Sequence, residues 1–95
     1  MKDSTIKRCN DLIFREIDDE VIIISNDGRH MHLLNETAGM IWRAVEKGSE
    51  TVKQIIGSIC AEYDVDESRA SRDVIKAVRD LCEKNIVSIE SENIR

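Results

Sequence analysis

The stretch Val21-Ile22-Ile23-Ile24-Ser25-Asn26-Asp27-Gly28-Arg29-His30-Met31-His32-Leu33-Leu34-Asn35-Glu36-Thr37-Ala38 decides the fold, because its hydrophobic period changes part-way along. Residues 21–25 are short and β-branched, which reads as a strand. Asp27-Gly28 between two apolar runs predicts a two-residue type I′ turn, whose central positions both need positive φ. Residues 30–34 then form the returning strand. With that loop, Ile24 stands opposite Met31 and Ile22 opposite Leu33. One face carries Ile22, Ile24, Met31 and Leu33 and is wholly apolar. The other carries Val21, Ile23, Ser25, His30, His32 and Leu34 and is mixed. The apolar face is expected on the core and the mixed face partly in water. From Asn35 the period becomes helical. Asn35 is a good N-cap, Glu36 meets the positive end of the helix dipole, and Ala38, Ile41, Trp42 and Val45 make an amphipathic stripe.

Upstream, residues 1–10 read as a polar lead-in and residues 12–17 as a short strand, broken by Asp18-Asp19-Glu20. Downstream, Lys47-Gly48 ends the first helix with a cation and a C′ glycine. Thr51 opens a second helix with Gln54 completing a capping box, and Val52, Ile55, Ile56, Ile59, Cys60 and Tyr63 share a face. Asp66 or Ser68 caps a third, longer helix running to about Lys84. Its core stripe is Ala70, Val74, Ala77, Val78 and Leu81, and Asn85 is its C′ residue. Residues 86–89 form a last short strand. The order β-β-β-α-α-α-β predicts an α+β fold: a winged helix-turn-helix with an N-terminal three-stranded antiparallel sheet and three helices. One domain spans residues 1–95, with its core at about 8–90.

At 95 residues the chain holds one core, and it buries roughly 60–65 % of its unfolded surface. Aromatics are 3 %, leaving little to stack on bases, and a net charge of −5 repels phosphate backbones. The absence of Pro and the four Gly exclude a long linker and a Gly-rich phosphate loop. No apolar run approaches the roughly 20 residues that span a bilayer, and Met1-Lys2-Asp3-Ser4-Thr5 lacks the core of a signal peptide, so the expected compartment is the cytoplasm. Cys9, Cys60 and Cys82 form neither a disulfide framework nor a local zinc spacing.

No catalytic triad, phosphate loop or paired-carboxylate motif is present, so no enzyme, cofactor or metal is expected. His30 and His32 lie two apart on one strand and share a face. They would serve a small metal-dependent enzyme only with a third ligand, and otherwise are plain solvated or cross-strand histidines. On the third helix Arg69, Arg72, Lys76 and Arg79 fall within about 80° of arc, as a DNA-recognition helix would need. Asp73, Asp80 and Glu83 answer them at i,i+4 and neutralise the field, which favours a solvated face over a winged-helix DNA-binding regulator. A third option is peptide binding. Strand 30–34 closes the opening meander and is an edge if the strand order is sequential, so an extended peptide can add to it. Ile75, Val78 and Cys82 form a second apolar strip flanked by Arg72 and Arg79, suited to a peptide with aliphatic anchors and acidic side chains. Equally, Ile75 and Cys82 simply widen the core face. A sheet edge of this kind can also pair with its twin, which keeps a homodimer open.

Leu34-Asn35-Glu36-Thr37-Ala38 followed by Ile41-Trp42 resembles the PqqD family. The pattern continues through Gly28, Gly48, Thr51-Val52-Lys53-Gln54-Ile55, Tyr63, Asp73-Val74, Val78 and Leu81, so it covers roughly residues 8–90. The resemblance implies a non-catalytic peptide chaperone of the RiPP recognition element type. Such a module binds the leader of a ribosomally made precursor peptide and presents it to a radical S-adenosylmethionine enzyme, in pyrroloquinoline quinone or other peptide-derived pathways. It implies that the leader adds as a strand beside His30, Met31, His32, Leu33 and Leu34. The cleft wall would then be Arg72, Ile75, Lys76, Arg79 and Cys82 on the third helix.

Overall fold

A computed structural model of the chain describes residues 4–25 and 27–90. Elements follow one another as β1 (Thr5–Arg8), β2 (Ile13–Ile17), β3 (Glu20–Ile24), β4 (Met31–Leu34), α1 (Glu36–Val45), β5 (Ser49–Thr51), α2 (Val52–Glu62), α3 (Glu67–Glu83) and β6 (Val87–Glu90). The strands form two three-stranded antiparallel sheets, ordered β2-β3-β4 and β5-β1-β6. The fold is α+β, as the sequence predicts. Within the lead-in, residues 1–3 lie outside the described residues, whereas Thr5–Arg8 is a strand. Ile6 is its one buried residue, and it pairs with Ile89 from the far end of the chain. Ser49–Thr51 adds a strand between the end of the first helix and the Thr51 cap of the second, which the sequence reading does not include.

The helices begin and end as their caps dictate. The Asn35 side chain accepts from the Ala38 N–H at 2.8 Å. Thr51 and Gln54 exchange both bonds of a capping box, at 3.0 and 3.1 Å. Asp66, rather than Ser68, caps α3 through the Arg69 N–H. Asn85 takes φ 60° after α3, and the N–H groups of Asn85 and Ile86 donate to the carbonyls of Cys82 and Leu81. This is a Schellman close, with Ile86 buried over Leu81. Gly48 does not take positive φ, so α1 ends without an αL cap. We expect Thr51→Ala to remove one half of the capping box and cost about 1 kcal/mol, read as a fall in the urea midpoint.

One core joins the layers. Trp42, Ile41, Ile55, Val74, Val78, Leu81 and Ile86 are buried beside Ile6, Val21 and Ile23. Trp42 meets Phe14 edge-on at 5.2 Å between ring centres, and the Arg8 guanidinium lies 5.0 Å over the indole. Arg43 on α1 ties the outside of that layer to β2 through Glu16 at 3.3 Å, and to the β2–β3 turn through the Asp19 carbonyl. That turn works because Asp18 and Asp19 both tolerate positive φ.

The β3–β4 register is the expected one, with Ile24 opposite Met31 and Ile22 opposite Leu33. Its faces are inverted. Val21, Ile23 and Leu34 are buried and His32 is half-buried, whereas Met31 and Leu33 are 70 % and 62 % exposed. The core takes the mixed face because Phe14 and Glu16 on β2 share it, packing on Trp42 and pairing with Arg43. The turn also differs. Asp27 does not take positive φ, as a type I′ turn requires; only Gly28 does, at 72°. Asn26 lies outside the described residues. The loop closes by the Gly28 N–H on the Ser25 carbonyl at 2.9 Å, and the Asp27 carboxylate accepts from the Arg29 N–H and the Ser25 hydroxyl.

Candidate functional site

Among the described residues β4 bonds only to β3, so its other side is an open edge. Which groups face that edge follows from the ladder. Ser25 N–H donates to the His30 carbonyl at 2.9 Å, making Ser25 and His30 a hydrogen-bonded pair. In an antiparallel ladder such pairs alternate. His32 and Leu34 therefore turn their backbone groups to β3, and Met31 and Leu33 turn theirs outward. Two N–H and two C=O groups are thus offered to an incoming strand. Met31 and Leu33 place their side chains on the outer face of the sheet, while His32 and Leu34 point beneath it.

β4 packs on β3 and α1, and α3 packs on α1, α2 and β6, so the space between β4 and α3 is left open. A cleft of about 580 Å³ lies at the start of β4, where His30 and His32 look across to Glu83, Lys84 and Asn85 at the end of α3. The two imidazoles are parallel, with centres 6.4 Å apart. Beyond the end of β4 a smaller cavity of about 160 Å³ lies among α1, α2 and the start of α3. Met40, Ile59, Val65 and Val74 line it with apolar surface, and Glu36, Tyr63, Arg69 and Asp73 add polar groups. The Tyr63 hydroxyl donates to Glu36 Oε2 at 2.9 Å, which raises the phenol above its usual range.

Of the expected α3 residues, Arg72, Lys76 and Arg79 are exposed, and Ile75 and Cys82 are half-buried against the core. The cavities facing β4 and α1 are lined instead by Arg69 and Asp73 at one end of α3 and by Glu83 and Lys84 at the other. Those residues were passed over because their charges read as a solvated face. The available signal was that Arg69 and Asp73 each stand next to a residue of the core stripe, Ala70 and Val74, and that Glu83 and Lys84 stand at the helix end just after Leu81. The three i,i+4 pairs expected on α3 do not form, and Asp80 pairs with Lys84 at 2.9 Å.

No three His, Cys, Asp or Glu among the described residues are placed to hold a metal ion. Burial pushes the thiols of Cys9 and Cys82 up, so neither is poised as a nucleophile at neutral pH. No described helix is long and apolar enough to cross a membrane. At the mouth of the larger cleft the Ser25 hydroxyl and the Arg29 N–H hold the Asp27 carboxyl below its usual range. A group whose folded pKa is depressed stabilises the fold above its unfolded pKa and loses that contribution as pH falls through the folded one. We expect the Gly28 and Arg29 amide resonances to titrate with a midpoint below the ordinary Asp range, and Asp27→Asn to abolish the transition.

Residues 20–87 match the family described as Coenzyme PQQ synthesis protein D (PqqD). The chain belongs to the PqqD family. Among solved structures, this PqqD-family chain is similar to TbiB1 in complex with the TbiA(beta) leader peptide. The TM-score is 0.78 at 29 % identity, over 86 % of this chain and 94 % of that one. It also shares its fold with a lasso peptide synthetase B1 complexed with the leader peptide, at a TM-score of 0.73 and 18 % identity over 87 % and 96 % of the two chains. No curated protein sequence matches.

Proposed function

We propose that this PqqD-family protein binds the leader segment of a ribosomally made precursor peptide by adding it as a strand to β4. The observation that carries the reading is the open edge at Met31 and Leu33, in a fold 29 % identical to a chain solved with a leader peptide. Main-chain bonds supply most of the affinity in this mode, and pockets for alternate side chains supply the choice of sequence. One set of leader side chains lies beneath the new strand, toward His32 and α3. The cavity at Met40, Ile59 and Val74 accepts an apolar anchor. Ile75 and Cys82, with Arg72, Lys76 and Arg79, remain the proposed outer wall on α3. We read α2, α3 and the β5-β1-β6 sheet as a winged helix-turn-helix frame used as a scaffold for peptide. The protein itself performs no chemistry and needs no cofactor. It hands the bound peptide to a modifying enzyme of the radical S-adenosylmethionine class, in pyrroloquinoline quinone or related peptide maturation in the cytoplasm.

The test is calorimetric titration with the leader of the precursor peptide encoded nearest the gene. Micromolar or tighter binding, with amide shifts in residues 30–34 and along α3, is the expected result. No binding to that leader, together with salt-sensitive binding to duplex DNA, would overturn it in favour of a DNA regulator.

A further inference from the structure

The outer face of sheet β2-β3-β4 is apolar and uncovered among the described residues. Ile13, Ile17, Met31 and Leu33 are more than half exposed on it, with Ile22 and Ile24 half-buried between them. The ladder sets this face out as a grid of three rows: Ile13-Ile24-Met31, then Arg15-Ile22-Leu33, then Ile17-Glu20. Two charges stand in the grid, Arg15 on β2 and Glu20 on β3. Both are exposed, and neither side chain has a hydrogen-bond or ion-pair partner among the described residues. Contiguous apolar surface of this kind, edged by polar side chains, marks a contact site.

A second copy packed face to face about a twofold axis lays each grid position on its own image across that axis. Axes through Ile22 differ in what they bring together. Along β3, Glu20 meets Glu20. Along the middle row, Arg15 meets Arg15. Along the diagonal from Ile13, both charges land on apolar side chains, Arg15 on Ile24 and Glu20 on Leu33. Along the other diagonal, Ile17–Ile22–Met31, Arg15 meets Glu20 on either side of the axis. Leu33 then meets Ile24, and Ile17, Ile22 and Met31 each meet their twins. Residues of one face repeat at about 6.8 Å along a strand, and strands lie about 4.8 Å apart. An axis at about 45° to the strands therefore brings the two charged positions within about 2 Å of registry. The strands of the two copies cross near right angles, the orthogonal form of sheet packing.

We infer that this face is the self-association surface of the chain, covered by a second copy about the Ile17–Ile22–Met31 diagonal. Of these axes only this one answers both charges and keeps the apolar side chains on one another. That self-match selects the occupant: a second copy already carries the pattern that any other partner would have to supply. The inference does not rest on leader binding. Face packing leaves the outward N–H and C=O groups of Met31 and Leu33 in the plane of the sheet, so each copy keeps its β4 edge.

The experiment follows the full chain by sedimentation equilibrium at low ionic strength, where charge pairs are least screened. We expect a reversible dimer, half-formed well below about 1 mM; a chain still monomeric at that concentration overturns the inference. Arg15→Glu and Glu20→Arg each set like charges together at both contacts, and each should weaken the dimer by about tenfold or more. Mixing the two variants in equal amounts should restore it to within about threefold of wild type, because the changed residue of one then meets opposite charge on the other. The Arg15→Glu/Glu20→Arg chain should dimerise by itself for the same reason. Rescue by mixing is a readout that a folding defect cannot produce. Wild-type association in both single variants overturns the inference. So does loss in both with no rescue in the mixture or the double variant, which would mean that these two charges do not meet.

Discussion

Leu33→Pro is expected to abolish leader binding while leaving the fold intact. Leu33 turns its N–H away from β3, so the proline ring replaces no ladder bond. Proline is accepted on an edge strand in that orientation. His32 is already extended, as a residue before proline must be. The ring now occupies the space where the peptide backbone would sit, and a carbonyl of the incoming strand loses its donor. We expect affinity to fall by at least about a hundredfold, equivalent to ~2.8 kcal/mol, in calorimetry. The circular dichroism melt should move little. His32→Pro is the contrast. Its N–H faces Ile23, so that substitution breaks the ladder and should unfold the sheet. If Leu33→Pro binds leader as tightly as wild type, the peptide does not add to β4.

Trp42→Ala is expected to bring the chain close to unfolding. Trp42 is fully buried, against Phe14 on one side and under Arg8 on another. Truncating a buried Trp costs about 3–5 kcal/mol, of the ~5–15 kcal/mol that holds a domain together. Urea unfolding followed by far-UV circular dichroism should show a midpoint near zero denaturant. A loss below ~1.5 kcal/mol would mean that the site collapses around the cavity. Trp42→Phe sharpens the argument. The indole Nε1 is buried and has no hydrogen-bond partner among the described residues, and leaving such a donor unpaired costs about 1–3 kcal/mol. Phenylalanine sheds that penalty along with some packing. The Phe variant should therefore lose much less than the Ala variant.

The helices were legible because their signals are local. Asn35, Thr51 with Gln54, and Asp66 each act within three residues, and the stripes of α1, α2 and α3 repeat at helical spacing. β1 and β5 were not legible. Thr5–Arg8 and Ser49–Thr51 are short and polar, and β1 becomes a strand only by pairing with residues 49–51 and 87–90. The sheet face was misread for a different reason. Ile22, Ile24, Met31 and Leu33 outscore Val21, Ile23, His32 and Leu34 as a hydrophobic set, so burial alone picks the wrong side. Glu16 pairing with Arg43 and Phe14 meeting Trp42 edge-on fix the choice, and both depend on where α1 packs. The edge at β4 was readable from strand order. That Arg69, Asp73, Glu83 and Lys84 line cavities was not, because residues on either flank of one apolar stripe look alike until neighbouring helices are placed.

The pairing of β1 with β6 sets Thr5 directly across from Glu90. Chain entering at one and leaving at the other passes through a single point on the surface, with Cα atoms about 5 Å apart. Such a unit can be spliced into a loop of another protein without prising that loop open. The same residues can thus work as a free carrier or as a graft, and the strand that closes the fold is also what makes it portable.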